Sequence, residues 1–346
     1  MEMVVTPNQR LQPTVLVLRA RPAAEGRRSA YQERCRMTKR SLAPSSILAF
    51  MLVASVLGGS SRCVLAQTAD SHAEEWPRTV LVTNDDGIDH QAMVALARAF
   101  SREAETYVVA PLHDCSGSAD YVSVYSKHVL QVQERNLGPG LQAYGVDGYP
   151  GDCVVLALRG VMIDDAPDLV VSGINGGPNL GDDWLASGTI GAARIAASLG
   201  VPAVAVSGLD ESAPEAAAAA AEWVVRLAQS KLVRDLRAGQ YLTMSLPRTP
   251  PPEFKGVRVA ERAGMLFDLR LGRIPDDASG DSVAMWALQI PRPIAPTQST
   301  SDAALYQEGY VVIVPMRADE HDRELLSRLV QHPETLPGWL EPERRE

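Results

Sequence analysis

Short apolar runs alternate with longer amphipathic segments through the middle of the chain. Apolar runs of strand length occupy residues 79–82, 106–110, 141–146, 168–171, 201–206 and 242–246. Apolar positions at helical spacing occupy residues 88–100, 153–161, 190–199 and 216–227. Because strands that alternate with helices are typical of βαβ units, the pattern predicts an α/β domain with a mostly parallel sheet over residues 79–247.

The pattern changes after Pro247, where consecutive prolines at 250–252 interrupt the alternation. Short apolar runs follow at residues 257–260, 283–290 and 310–314, separated by loops rich in Gly, Pro and Asp. Residues 322–330 have the spacing of a short helix. We therefore predict a β-rich extension with a terminal helix over residues 248–332, and a polar tail at residues 333–346.

The first 66 residues have the features of an export signal preceded by an extension. Residues 1–36 are rich in arginine and lack a steady period, whereas residues 37–40 are basic and residues 47–57 are apolar. Small residues then lead to Ala66, which is the arrangement of a secretory signal peptide. The apolar run is too short to span a membrane. We expect initiation at Met37, cleavage after Ala66, a polar lead-in at residues 67–78, and an exported protein in the periplasm or medium with no remaining membrane span.

Charge and cysteine content narrow the class of protein. The chain has a formal net charge of −9, and loss of the arginine-rich residues 1–66 makes the remainder more acidic. Such a surface disfavours binding to nucleic-acid polymers and anionic membranes.

Cys115 and Cys153 remain after cleavage, and export leaves two alternatives open, a disulfide or two buried thiols. No spacing of cysteine and histidine is typical of a zinc site.

The first strand runs directly into Asn84-Asp85-Asp86-Gly87. In open α/β sheets ligands bind beyond the carboxyl ends of strands, so these carboxylates lie where chemistry is expected. Two adjacent carboxylates repel each other unless a cation holds them, which favours a hard divalent metal. The same four residues are also a common turn sequence. Taken alone, they leave both interpretations open.

Three separated segments together resemble the SurE family of metal-dependent 5′/3′-nucleotidases and acid phosphatases. They are residues 84–87, the pair Ala110-Pro111 followed by Ser116-Gly117, and the glycine-rich loop from Ser172 to Thr189. The resemblance extends over about residues 79–329. It implies a Rossmann-like mostly parallel sheet with helices on both faces, plus a C-terminal β-hairpin arm. It also implies a homodimer or homotetramer formed by C-terminal exchange.

The resemblance further implies a set of site residues. It gives a divalent metal to Asp85, Asp86, Ser116 and Asn175, with the two aspartates catalytic, and gives phosphate contacts to Asn179, Ser187, Gly188 and Thr189. All four metal positions carry hard oxygen ligands, which suit magnesium or manganese and also calcium. A water whose pKa the metal lowers is then the expected nucleophile for hydrolysing nucleoside 5′/3′-monophosphates to nucleoside and phosphate.

Simpler interpretations exist for several of these residues. Ser116 is also a plausible turn serine, and Asn175 a plausible residue of left-handed backbone. Ser187 and Thr189 have the identity of ordinary helix caps. Backbone N–H groups of Gly188 and Thr189, at a helix N-terminus, would nevertheless face an anion favourably.

The chain departs from the family pattern around the pocket. His90-Gln91-Ala92 replaces Ala-Pro-Gly, and the loop at residues 112–115 lacks the usual arginines. Tyr149 stands in place of a threonine, so substrate preference is open. His90 and His113 are candidates to replace a lost cation or to act as a general acid, against the alternative of surface histidines.

Two other classes of function are alternatives to the phosphomonoesterase. An exported protein that binds metal or phosphorylated ligands without catalysis is the main alternative, because altered loops are compatible with binding alone. A dinucleotide-binding oxidoreductase is disfavoured, because the first strand is followed by two acidic residues rather than by a GxGxxG turn.

Overall fold

The structure is a computed structural model of the chain. It describes residues 76–123, 126, 129–208, 214–247, 254–264, 267–268, 270–273, 286–288, 292–293, 295–296, 298–320 and 322–331. The predicted signal peptide, most of the polar lead-in and the polar tail lie outside the described residues.

The described residues form thirteen strands and seven α-helices, together with a π-helix at Ala157–Val161 and a 3-10 helix at Gly181–Leu185. The strands are β1 Thr79–Thr83, β2 Glu105–Pro111, β3 Val132–Arg135, β4 Leu141–Val146, β5 Leu169–Asn175, β6 Ala203–Ser207, β7 Gln240–Ser245, β8 Val257–Val259, β9 Phe267–Asp268, β10 Leu271–Arg273, β11 Trp286–Leu288, β12 Arg292–Pro293 and β13 Val311–Arg317. The helices are α1 Gln91–Phe100, α2 Pro150–Leu156, α3 Gly188–Ser198, α4 Pro214–Ala228, α5 Lys231–Arg234, α6 Asp302–Gln307 and α7 Arg323–Gln331.

Nine of the strands form one mixed sheet in the order β3-β4-β2-β1-β5-β6-β7-β13-β8. The six strands from β4 to β7 in this order run parallel to their neighbours. The strand β3 pairs antiparallel with β4, and β13 pairs antiparallel with β7. The prediction of a Rossmann-like, mostly parallel α/β sheet is therefore confirmed.

Helices cover both faces of this sheet, which explains the continuous apolar runs of its strands. Val80 and Val82 belong to one buried cluster, which also contains buried residues of α1 and α4. Leu81 points the other way and belongs to a second cluster with residues of α2 and α3. Because successive side chains of a strand alternate between faces, every position of β1 is buried.

Two strands of the predicted β-rich extension over residues 248–332 belong to the main sheet. They are β8 and β13, which follow β7 in the strand order. The reason is non-local pairing, since Val312 of β13 lies opposite Ser245 of β7 and Arg258 of β8. This addition covers the edge of β7, which would otherwise carry unpaired backbone groups.

Four short strands form antiparallel ladders outside the main sheet. Phe267 lies opposite Pro293, and Leu271 lies opposite Leu288. The two ladders follow each other with nearly the same register, as expected for the arms of one β-hairpin. Among the described residues, no helix is both long enough and apolar enough to cross a membrane.

Candidate active site

The predicted site residues follow three neighbouring strands of the sheet. Asp85 and Asp86 come directly after β1, Ser116 lies in the loop after β2, and Asn175 ends β5. The strand β1 pairs with β2 on one side and with β5 on the other, and Thr83 lies opposite Ser172. Because parallel strands present their carboxyl ends at one edge, the three loops emerge together.

Asp85 is held by the start of helix α3. Only 3% of Asp85 is exposed, and both the hydroxyl and the backbone N–H of Thr189 hydrogen-bond to its carboxylate. The N–H of Cys115 donates to the backbone oxygen of Asp85 at 2.7 Å, which ties the loop after β2 to the same residue. A helix N-terminus attracts an anion, and here the nearest anion is a side chain of the protein itself.

Burial raises the pKa of Asp85, and the hydrogen bonds from Thr189 oppose that rise. The negative charge of Asp114 raises the pKa of Asp85 further. A buried carboxylate beside a second carboxylate favours a bound cation, since a cation restores the charged form of both. The chemistry around Asp85 therefore fits a divalent metal.

We expect Asp85→Asn to stabilise the metal-free protein at neutral pH. Because the folded-state pKa of Asp85 is raised, the folded protein binds its proton more tightly than the unfolded chain does. Protonated Asp85 therefore stabilises the folded protein at a pH below the pKa that Asp85 has in the unfolded chain. This stabilisation is lost as the pH rises through the folded-state pKa of Asp85. Asparagine is neutral at every pH, so the Asp85→Asn variant has no buried charge at this position. Its thermal midpoint in EDTA should therefore exceed the wild-type value at pH 7 and converge with it in acid. Equal midpoints across the pH range would contradict the assignment.

Asp86 occupies a more accessible position than Asp85. Its side chain is 15% exposed, and Nδ1 of His90 lies 3.8 Å from its Oδ2. His90 immediately precedes α1, and its ring lies beside the acidic turn that follows β1. Of the two histidines considered from the sequence, His90 therefore lies among the acidic residues, whereas His113 is exposed.

Asp114 is a third acidic group that the sequence analysis did not assign. The hydroxyl and the N–H of Ser116 both donate to its Oδ1, at 2.7 and 2.8 Å. These hydrogen bonds lower the pKa of Asp114. The signal was present in the sequence, because an aspartate two residues before a serine is typical of a side-chain-stabilised turn. The bond leaves the lone pairs of the Ser116 hydroxyl available to a cation.

Asn175 is oriented by the glycine-rich loop that follows it. Its Nδ2 donates to the carbonyl oxygen of Gly177 at 2.9 Å, which leaves the amide oxygen as the atom available to a cation. Among the described residues, no group of three or more His, Cys, Asp or Glu side chains is arranged to hold a metal. The predicted ligands include a serine and an asparagine, so such a group is not required by the prediction.

The predicted phosphate contacts divide into two pairs. Gly188 and Thr189 lie against Asp85, and a Cβ added to Gly188 would come within 2.8 Å of the Cβ of Asp85. The other two side chains hydrogen-bond elsewhere, because Ser187 Oγ accepts from the N–H of Ile190 at 3.1 Å and Asn179 Nδ2 donates to Ser207 Oγ at 2.7 Å. Ser187 is therefore a helix cap in this structure.

A pocket of about 470 Å³ lies on the loop after β2, and of the predicted site residues only Ser116 is part of its lining. Its walls come from the loop after β2 and from the turn between β4 and α2, and comprise His113, Asp114, Cys115, Ser116, Gly117, Ser118, Val146, Asp147, Gly148 and Tyr149. Cys115 and Cys153 do not form a disulfide in this structure, and burial raises the pKa of Cys153 well above its usual range. A larger cavity of about 680 Å³ beside Trp184 contains none of the predicted site residues.

These features define a Rossmann-like α/β protein with an acidic site beyond the carboxyl ends of its central strands. The family model described as "Survival protein SurE" matches residues 80–266. The chain belongs to the SurE family.

Relatives from several bacteria align along most of this chain. The protein named 5′-nucleotidase SurE 1 from Burkholderia lata is 32% identical, over 72% of this chain and 94% of its own. The 5′-nucleotidase SurE of Alkalilimnicola ehrlichii is 36% identical, over 69% of this chain and 89% of its own. The crystal structure of the SurE protein from Aquifex aeolicus superimposes with a TM-score of 0.62 at 26% identity, covering 74% of this chain and 99% of that one.

Proposed function

We propose that this protein is a metal-dependent phosphomonoesterase that hydrolyses nucleoside 5′- and 3′-monophosphates to nucleoside and phosphate. The observation that carries the proposal is the Asp85 carboxylate, which is buried at a strand end and held by Thr189. The backbone of Asp85 is hydrogen-bonded to Cys115, in the loop that lines an open pocket. The relatives named 5′-nucleotidase support the reaction class. The acidic balance of the chain supports a small substrate rather than a nucleic-acid polymer.

Asp85, Asp86, Ser116 and Asn175 are the residues that would hold the divalent cation, magnesium or manganese. When bound, such a cation neutralises phosphate charge and lowers the pKa of a water. Asp85 supplies a rigid carboxylate, since Thr189 fixes its position. Asp86 is more accessible and lies beside His90, which supports assigning it the role of orienting the attacking water. The backbone N–H of Gly188, at the helix N-terminus, is the group we assign to the phosphate.

Phosphate release by the purified protein tests this proposal. The substrates are adenosine 5′-monophosphate, adenosine 3′-monophosphate and a chromogenic phosphomonoester, each assayed with manganese, with magnesium and with EDTA. We expect release that depends on the metal and that EDTA abolishes. Tight binding of manganese or of the nucleotides without phosphate release would instead support the non-catalytic binding protein.

We also propose that the protein is a homodimer or homotetramer. The described helix α7 supports this, because it contains no buried residue and exposes Leu326 and Val330 by 52% and 71%. An apolar stripe of this kind is stabilised when a second copy covers it. Light scattering coupled to size-exclusion chromatography should give twice or four times the chain mass, and a mass of one chain at micromolar concentration would contradict the proposal.

We propose, finally, that the protein is exported with cleavage after Ala66. The support is the basic segment at residues 37–40 and the apolar run at residues 47–57. N-terminal sequencing of the protein recovered outside the cytoplasm should begin at Gln67. Recovery only from the cytoplasm with residues 37–66 retained would contradict export.

A further inference from the structure

We propose that Arg194 positions the loops at Ser116 and Asn175, and that it couples both loops to the C-terminal segment that follows β13. The inference rests on the proposed function, because it concerns metal ligands that the proposed function assigns. Arg194 lies five residues after Thr189 on α3, which is about 8 Å along the helix axis. We therefore assign it an effect on the site through other residues, without contact with the substrate.

Arg194 is a buried cation on a helix that otherwise consists of small or apolar residues. Only 9% of Arg194 is exposed, and a guanidinium is costly to bury unless other groups compensate its charge. Two carboxylates do so. Nη1 of Arg194 donates to Oε1 of Glu320 at 2.8 Å, and its Nε lies 3.4 Å from Oδ2 of Asp120. Because Asp120 belongs to the loop after β2 and Glu320 follows β13, one side chain connects two segments that are distant in the sequence.

The same guanidinium packs on the glycine-rich loop between β5 and α3. Its Cζ lies 5.0 Å from the ring centroid of Trp184, and a cation near the face of a tryptophan is attracted by the ring. Trp184 belongs to the 3-10 helix Gly181–Leu185 of that loop, which follows Asn175. Arg194 therefore contacts both loops, the one after β2 and the one after β5.

The loop after β2 keeps its conformation through contacts with α3. A Cβ added to Gly191 would lie 2.1 Å from the carbonyl oxygen of Ala119, so the backbone of the loop touches the helix directly. Ala119 has a φ of 52°, which is unfavourable for a residue other than glycine. Its N–H donates to the carbonyl oxygen of Ala186 at 2.9 Å. Because Asp120 is the next residue, its ion pair with Arg194 helps to hold the loop in this conformation.

Glu320 extends this arrangement to the C-terminal segment. It lies between β13 and α7, the helix that we propose is covered by a second copy of the chain. Its side chain is 54% exposed, so the contact with Arg194 is one that local opening breaks without disrupting the sheet. Loss of this contact frees the guanidinium to move and loosens both loops. The C-terminal segment therefore influences metal binding, although it supplies none of the proposed ligands.

Hydrogen exchange in EDTA tests the coupling without metal or substrate, because exchange of the amides at residues 115–121 reports opening of the loop after β2. We expect Arg194→Gln to make these amides exchange at least about fivefold faster, the lower end of typical couplings between sites. Glu320→Gln should also accelerate exchange at residues 115–121, although it alters a different segment. Faster exchange only around Glu320 in that variant, with residues 115–121 unchanged, would overturn the coupling.

Manganese affinity measures the consequence for the site. We expect Arg194→Gln to raise the Kd for manganese about tenfold, a loss typical of groups that orient metal ligands. Glu320→Gln should raise it about threefold, as for a partly exposed ion pair. Turnover of adenosine 5′-monophosphate at saturating manganese should stay near the wild-type value, because the ligands themselves are intact. A lowered thermal midpoint of Arg194→Gln with an unchanged Kd would show a purely structural role and overturn the proposal.

Three further variants serve as controls. Arg194→Lys should give an intermediate Kd, because lysine keeps the charge but lacks the planar fork that reaches two carboxylates. Asp120→Asn changes a side chain that is 51% exposed, so it should fold normally and still accelerate exchange at residues 115–121. Arg102→Gln removes an exposed ion pair with Glu222 and should change neither exchange of the loop nor the Kd. Unchanged exchange of the loop in Asp120→Asn would contradict the role of the ion pair.

These measurements distinguish failure of this inference from failure of the proposed function, because exchange is followed without turnover. If Glu320→Gln loosens the loop while the wild-type protein releases no phosphate in metal, the coupling stands and the catalytic proposal fails. If exchange of the loop is unchanged in Arg194→Gln and Glu320→Gln while the wild-type protein turns over normally, the coupling fails and the catalytic proposal stands.

Discussion

Turnover of adenosine 5′-monophosphate is expected to fall on the order of 10²–10⁴-fold in Asp86→Asn, with little recovery in excess manganese. The substitution keeps the shape of the side chain but removes the charge that would orient and deprotonate a water. Asp86 is the more accessible carboxylate of the pair and lies 3.8 Å from His90, which suits that role. Asp85→Asn is also expected to lose activity, but excess manganese should recover part of it, because buried Asp85 acts mainly as a ligand.

The measurement is metal affinity and turnover for both variants across a manganese titration. Asp89→Asn is a matched control, since Asp89 is three residues from Asp86, is 63% exposed at its side chain and pairs with Arg135. Loss of an exposed ion pair has little effect on the stability of a protein. Near wild-type turnover in both active-site variants at low manganese would remove these aspartates from the mechanism.

Gly188→Ala is expected to lower turnover about 100-fold, because small displacements of a catalytic group have effects of this size. The added Cβ would come within 2.8 Å of both the Asp85 Cβ and the Ser118 hydroxyl, so Asp85 must move. Helix propensity would not account for a loss, since alanine is a better helix former than glycine. Turnover and the thermal midpoint in EDTA are both measured. We expect the large loss of turnover to occur with only a small change in the thermal midpoint.

Gly264→Ala provides the control for this substitution. Gly264 has no heavy atom within 4 Å of an added Cβ, and its φ lies outside the left-handed region. We expect wild-type activity in that variant. Wild-type activity in Gly188→Ala as well would show that close packing of α3 against Asp85 is not needed for turnover.

Elements with a clear period were predictable from the sequence. The strand β4 was predicted at residues 141–146 and is observed as Leu141–Val146, and the helix predicted at residues 216–227 is observed as Pro214–Ala228. The boundaries of α2 were less accurate, because helical spacing was predicted from residue 153 whereas the helix begins at Pro150. Asp152 lies at its third position and accepts the N–H of Tyr149, the residue before the helix.

Contacts between distant segments were not predictable in the same way. Thr189 hydrogen-bonds to Asp85 across 104 residues of sequence, and no local pattern indicates which end of α3 meets β1. The placement of β13 between β7 and β8 likewise depends on pairing between remote strands. The family resemblance predicted which loops form the site. The structure added that Thr189 holds a carboxylate and that Asp114 accompanies Ser116.

The most direct test of the account follows metal binding and catalysis in the same samples. Manganese is titrated into protein stripped with EDTA, with bound metal measured by electron paramagnetic resonance and phosphate release from adenosine 5′-monophosphate measured in parallel. We expect no phosphate release without metal, and we expect metal binding and turnover to saturate over the same range of manganese concentration. Asp85→Asn should weaken both metal binding and turnover. Full turnover in the stripped protein, or saturated metal binding without turnover, would contradict it.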